Sequence, residues 1–253
     1  MVLIKIQQVT TVAILIESAS KLATQLGKTF GVLSFVENDE LIEENLNSLK
    51  NLNGLINAAL FVRNSTKNTL SEVCDEVEAS FLFIQLVDNK SKSIRNQLNI
   101  CRDLRIPYLF YKDSFPAIDL TNVILPIGFL EEELEKAQFA SAFGRFCGSE
   151  IIMLLANDYG SKAATNADKM KSLFDKFDFT YTLVKATKDS FKVETEAIQV
   201  AENKQAGIII VSASRDYGLD DILFGPKEYH VVKKSLVPVL LVNPRGDLYA
   251  LCD

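Results

Sequence analysis

Residues 212–242, SASRDYGLDDILFGPKEYHVVKKSLVPVLLV, place serines, an arginine and two glycines between an apolar run and a helical pattern. A strand-to-helix junction of this kind can hold an anion. The first N–H groups of a helix lack partners within it, the helix dipole favours negative charge there, and glycine lets backbone approach a phosphate closely. Ser212 and Ser214 bring hydroxyl donors, Arg215 brings a guanidinium suited to oxyanions, and Gly225 stands directly before Pro226. Pro226 works against that chemistry, because proline offers neither an N–H nor a hydroxyl and is a common residue at the first helical position. Gly218 reads as a turn glycine.

Other chemistries find less support. The four cysteines, Cys74, Cys101, Cys147 and Cys252, form no close pair, and His230 is the one histidine, so a zinc site is not expected. Reduced, buried thiols are the expectation. A serine hydrolase would need a Gly-x-Ser-x-Gly elbow and a histidine partner, whereas His230 lies inside the helical KEYHVVKK. No Walker loop occurs. Lys112 follows an apolar run as the lysine of a phospho-acceptor receiver would, but the paired acids of that fold are missing. The carboxylates Glu131, Glu132 and Glu133, and likewise Asp220 and Asp221, are consecutive, point apart, and read as solvated faces. A formal net charge of −6 argues against a general nucleic-acid binder. No apolar run reaches the roughly 18 residues of a membrane helix, and the amino-terminal stretch has no basic region followed by a long apolar core, so a cytoplasmic protein without membrane or nucleic-acid partners is expected.

The elements that must position the junction come from a repeat. Residues 12–39 read as strand, helix and strand, and so do residues 123–158. Residues 79–113 and 206–247 then share the order of apolar strand, polar loop, helix, proline and short strand, with Ile106-Pro107 and Val237-Pro238 at equivalent points. Runs such as Phe81–Leu86, Ile151–Leu155, Ile208–Val211 and Val239–Val242 are apolar on both faces. Such strands belong to parallel sheets covered by helices on both sides. The expectation is α/β, with two doubly wound, Rossmann-like domains of five mainly parallel strands each, over residues 1–115 and 116–253, joined by the proline-containing YKDSFPAIDLTN. DELIEENLNSLKNLNG is expected to be a helix ending at Gly54, and TLSEVCDEVEAS one with Leu70, Val73, Cys74 and Val77 inward.

The stretch LDDILFGPKEYHVVKKSLVPVLLV resembles the C-terminal signature of the universal stress protein family, through Leu219, Ile222, Leu223, Gly225, Val231, Val232, Lys233, Pro238, Val239, Leu240 and Val242. VILPIGFLEEELEKAQFA looks like the family's opening strand. The resemblance spans most of residues 120–245 and extends faintly over 9–113, which implies a tandem member of the adenine nucleotide alpha hydrolase-like type. Nucleotide-binding members carry an Asp after the first strand, then Gly-x-x-Gly and Gly-Ser/Thr around the phosphates. Here Gly128, after Pro126, stands at the acidic position, Ser212 and Arg215 stand at the two glycine positions, Gly225 is kept, and Pro226 replaces Ser or Thr.

The amino-terminal half is further from the pattern. Its loop, QLVDNKSKSIRNQL, has no glycine, Ser91 or Ser93 reads as an N-cap, Lys92 is the nearby cation, and Glu17 stands near the acidic position at the end of an expected strand. The resemblance therefore implies a binding or regulatory stress-response protein with no cofactor and no catalytic residue. Its two repeats would pack as an intramolecular pseudo-dimer through PYLFY and PVLLV, with a homodimer and a protein partner as further associations. The alternative is a protein that binds ATP or AMP, with or without slow hydrolysis, in a pocket formed by Pro126, Gly128, Ser212, Ser214, Arg215, Gly225 and Pro226.

Overall fold

The computed structural model describes residues 1–52, 55, 57–214 and 226–245. The chain separates into two compact units, Met1–Ala117 and Ile118–Asp253. The first unit contains β1 (Val2–Ile6), α1 (Ala13–Gln25), β2 (Phe30–Val36), α2 (Ile42–Lys50), β3 (Ala59–Asn64), α3 (Leu70–Glu76), β4 (Phe81–Leu86), α4 (Ser91–Ile100) and β5 (Tyr108–Lys112). Its strands lie in the order β3-β2-β1-β4-β5 with every pairing parallel. β1 and β4 are buried at every residue, which is why their sequences show no polar alternation. Leu3, Ile4, Leu82 and Phe83 are fully enclosed. Each such side chain contributes about 1.5–3 kcal/mol of transfer free energy, so this central pair anchors the unit.

Some sequence expectations fail in this unit. VAILIESAS is not a strand. β1 is VLIKI, and residues 13–25 form α1. The buried positions Val12, Leu15, Ile16, Ala19, Leu22 and Ala23 recur at helical spacing. The apolar VAILI run hides that period because Ile14, on the far side, is 43 % exposed. Glu17 accordingly sits on an exposed face of α1 and not at a strand end. α3 starts as its sequence suggests: Thr69 accepts from the Glu72 N–H, and Glu72 Oε2 accepts from the Thr69 N–H at 2.8 Å. α4 has no serine cap. Its N-cap is Lys90, whose N–H donates to Asp88 Oδ1 at 3.1 Å. α2 ends earlier than expected, with Asn51 as its C-cap, and Gly54 itself lies outside the described residues.

The second unit contains β6 (Asn122–Ile127), a 3-10 turn at Glu131–Leu134, α5 (Glu135–Cys147), β7 (Glu150–Leu155), α6 (Lys162–Lys176), β8 (Tyr181–Lys185), α7 (Val193–Asn203), β9 (Ile208–Ser212), α8 (Lys227–Lys234) and β10 (Val239–Val242). Its strand order is β10-β9-β6-β7-β8, again with parallel pairings. A close backbone approach sets the start of β9. A Cβ on Gly207 would lie 1.7 Å from the Asp119 carbonyl oxygen, so no side chain fits there. The Gly207 N–H donates instead to Asn122 O at 3.0 Å. Pro107 and Pro238, just before β5 and β10, keep equivalent roles, because their carbonyls accept from Leu82 N–H and Ile209 N–H, each at 3.1 Å. Among the described residues no helix is long and apolar enough to cross a membrane.

Candidate functional site

In open α/β sheets the ligand crevice lies beyond the carboxyl ends of the strands where the strand order reverses. In the second unit that point falls between β6 and β9, which pair at Val123↔Ile208 and Ile124↔Ile209. Pro126, within β6, and Gly128, just after it, lie on one side; Ser212 and Ser214 lie on the other. Pro226 begins α8 from its N-cap position, with φ −65° and ψ 160°. Expected at the first helical turn, it stands one place earlier. Its carbonyl accepts the Tyr229 N–H at 3.0 Å, and its ring supplies no side-chain cap. Arg215, Gly218 and Gly225, like Asp220, Asp221 and Cys252, lie outside the described residues.

The polar groups around this crevice are occupied by the chain's own carboxylates. Glu133 is 3 % exposed. It belongs to the acidic run expected to be solvated, and that expectation is wrong for it. The 3-10 turn aims its carboxylate back at the loop, where Oε2 accepts the Gly128 N–H at 2.6 Å. Lys136, from the first turn of α5, donates to the same oxygen at 3.2 Å and is fully enclosed. Asn166 of α6 closes the other side of the loop, donating from Nδ2 to Gly128 O and Leu130 O, each at 3.0 Å. A Cβ on Gly128 would meet Glu133 Oε1 at 2.9 Å and Ser190 Oγ at 3.0 Å. Those two side chains fill the space that a larger residue at position 128 would need.

Glu228 plays the corresponding part on the β9 side. It lies in the first turn of α8, 1 % exposed. Its Oε1 accepts the Ser214 N–H at 3.2 Å and its Oε2 accepts the Ser214 hydroxyl at 2.8 Å. Burial pushes the Glu228 carboxyl up from its ordinary range, against the opposing hydrogen bonds. Lys227 beside it pairs with Glu194 of α7 at 3.2 Å. Burial disfavours the Lys227 charge, but Glu194, Glu133 and Glu228 outweigh it and hold the ammonium above the usual lysine range. Three buried carboxylates, from the β6–α5 turn, α7 and α8, thus act on one half-buried lysine. Ser212 stands apart from this arrangement, since its buried Oγ has no hydrogen-bond partner among the described residues.

The structure therefore gathers Pro126, Gly128, Ser212, Ser214 and Pro226 at one end of the β6–β9 boundary. Sequence reasoning missed Glu133, Glu194, Glu228, Lys136 and Lys227. Their available signal was the position of Glu133 and Lys136 just after a strand and of Lys227 and Glu228 just after Pro226, where first-turn residues can reach back to a loop. His230 lies on α8, half-buried against Tyr229 with ring centroids 5.0 Å apart. Cys74 and Cys101 are buried and in no disulfide, and burial pushes Cys74 up to about 12. Cys147 is half-buried and likewise in no disulfide. Among the described residues no cluster of His, Cys, Asp and Glu could hold a metal ion.

In the first unit the equivalent point lies between β1 and β4. There Gln85, fully buried at the end of β4, accepts the Gln7 and Gln8 N–H groups at 2.8 and 3.0 Å. Its amide donates to Thr11 Oγ1 at 3.1 Å and Asp113 Oδ1 at 3.0 Å. Lys5 of β1, also buried, donates to Gln97 Oε1 of α4 at 2.6 Å, and burial lowers its pKa. Ser91, Lys92 and Ser93 form the first turn of α4, and Lys112 ends β5 beneath the ring of Phe115, 5.3 Å from its centroid.

No family model matches the chain, and no curated protein matches it. Among solved structures, it is similar to a universal stress protein from Archaeoglobus fulgidus DSM 4304, with 12 % sequence identity over 97 % of each chain and a TM-score of 0.68. It is also similar to a protein of unknown function from Pseudomonas aeruginosa PAO1, with 11 % identity over 99 % of this chain and 94 % of the other, and a TM-score of 0.65. The likeness runs through nearly the whole length of both chains. The α/β fold of a universal stress protein is thus the fold of this chain.

Proposed function

We propose that this chain is a tandem universal-stress-like protein that works in the cytoplasm by binding or regulation in the stress response, without ATP. The carrying observation is that the Gly128 and Ser214 donors of the crevice are already engaged: Glu133 holds the Gly128 N–H, and Glu228 holds both donors of Ser214. A polyphosphate would have to displace these buried carboxylates and would meet their charge. Pro226, without an N–H, weakens the grip of α8 on an anion further. The first unit supports the same reading, since Gln85 ties down the backbone after β1. With these donors engaged, surfaces rather than pockets would meet a protein partner. The two repeats would pair as an intramolecular pseudo-dimer through β5 and β10, and separately produced halves that are each stable, soluble monomers would refute that pairing.

Thermal denaturation with ATP and with AMP tests the central claim. A site filled to 100 times its Kd would add about 2.7 kcal/mol of stability. No shift at millimolar nucleotide is expected, and a clear rise would overturn the proposal. A second reading, ATP or AMP binding with slow hydrolysis in the second unit, is favoured by one feature: the buried hydroxyl of Ser212, which has no partner among the described residues.

A further inference from the structure

β8 carries an apolar ladder along the open side of the second unit. Tyr181 and Leu183 share one face of β8, and Phe177 and Phe179, in the turn that ends α6 where Asp178 takes φ +55°, precede them. Phe177 stacks on Phe179 with centroids 5.8 Å apart, and Phe174 of α6 lies 6.4 Å from Phe179 and 5.8 Å from Tyr181. At the ends of the ladder Phe177 remains 52 % exposed and Leu183 43 % exposed. β8 pairs with β7 from Tyr181 to Lys185 in unbroken register and is the last strand on its side. Its outward N–H and C=O groups therefore have no strand partner among the described residues. Edges are ordinarily blunted by proline, a bulge or an inward charge. β8 has no proline and no bulge, and its one charge, Lys185, stands at its end.

We infer that the open edge of β8 joins two copies of this chain as antiparallel neighbours, with the two Leu183 residues facing each other on the twofold axis. Charge selects this partner and this direction. The segment entering β8 carries exposed Asp175 and Asp178, and the segment leaving it carries exposed Lys185 and Lys188. A parallel copy would set like charges side by side. An antiparallel copy centred on Leu183 sets Tyr181 opposite Lys185 of the second chain and turns the acidic entering segment toward the basic leaving one. The Tyr181 hydroxyl already donates to Asp175 at 2.8 Å, so the incoming Lys185 meets a carboxylate held in place. Lys176 and Lys171 do not oppose it, because the first lies over the Phe177 ring at 5.8 Å and the second pairs with Asp168 at 2.8 Å. The contact is self-complementary, as a twofold interface must be. It is also small beside the roughly 1,200–2,000 Å² of a stable interface, so the dimer forms reversibly with concentration.

Sedimentation velocity of the full chain over a range of concentrations tests this. A monomer–dimer equilibrium is expected, with rising amide protection of residues 181–185 as the dimer forms. Leu183→Lys, which sets two ammoniums on the axis, and Lys185→Glu should each weaken association roughly tenfold or more. Both positions are exposed, and an unchanged circular dichroism spectrum verifies that the variants fold. A chain that stays monomeric at the highest concentration overturns the inference. So does a dimer that Leu183→Lys leaves intact, or protection confined to other strands. The readout does not depend on nucleotide, so it succeeds or fails independently of the crevice proposal.

Discussion

Replacing Lys136 with methionine would remove one ammonium and leave nearly everything else in place. The Lys136 side chain is fully enclosed and Glu133 is 4 % exposed, with 3.2 Å between amine and carboxylate. Without the amine, Glu133 keeps the Gly128 N–H but becomes a buried carboxylate short of a cation. Breaking a buried pair from one side costs about 3–5 kcal/mol, because the remaining charge cannot regain water. Lys227 also feels Glu133, which places the expected loss at the lower end, about 3 kcal/mol. Replacing both partners, Lys136→Met with Glu133→Gln, removes both charges and leaves an amide oxygen to accept from Gly128. That variant should return to within about 1 kcal/mol of the parent. Urea unfolding followed by far-ultraviolet circular dichroism suits a chain without tryptophan. At a slope of about 2 kcal/mol per molar urea, the single variant's midpoint should fall by roughly 1.5 M. A single-variant loss below about 1 kcal/mol, or a double variant as unstable as the single, would refute the account of the crevice as an ion-paired plug.

Glu228→Gln should flatten the pH dependence of stability. Burial raises the carboxyl in the folded state, so folding takes up a proton, and the parent should lose stability as pH climbs from the ordinary carboxyl range through the raised folded value. Thermal melts across that window check the sign, and equal slopes in parent and variant would contradict it. Lys112 has the opposite sense: burial lowers it to about 8, so the unfolded chain binds more protons and stability should rise between about pH 8 and the ordinary lysine value. Lys112→Met should abolish that rise in the same melts. Gln85→Leu should leave the Gln7 and Gln8 N–H groups without their acceptor, cost about 1–3 kcal/mol, and remove hydrogen-exchange protection at those two amides. Retained protection at both would show that Gln85 is not what holds the loop.

Much of the fold is legible in the residues. Phe81–Leu86 and Ile151–Leu155 lack polar alternation because helices cover both faces of a parallel sheet, and that burial can be recognised before any coordinates. The paired prolines at 107 and 238 likewise mark strand starts, since proline keeps its carbonyl for the neighbouring strand while needing no N–H partner. VAILI shows the limit of that reasoning. Five apolar residues fit a strand or a buried helix equally, and only the wider spacing of Leu15, Ala19 and Leu22 decides for the helix.

The candidate site divides along the same line. The sequence by itself determines which donors the junction can offer: glycine at 128, serine at 212 and 214, and no N–H at Pro226. These are properties of single residues, and no packing can alter them. Only the tertiary structure decides what those donors hold. Consecutive glutamates at 131–133 look alike in one dimension, yet a 3-10 turn sends Glu133 inward to an amine on α5, while Glu131 stays outside with Lys169. Glu228 and Ser214 meet across 14 residues, and Lys227 and Glu194 meet between two helices. A carboxylate is solvated or buried according to the cations and N–H groups that distant elements bring within about 3 Å, because only such partners offset the loss of water.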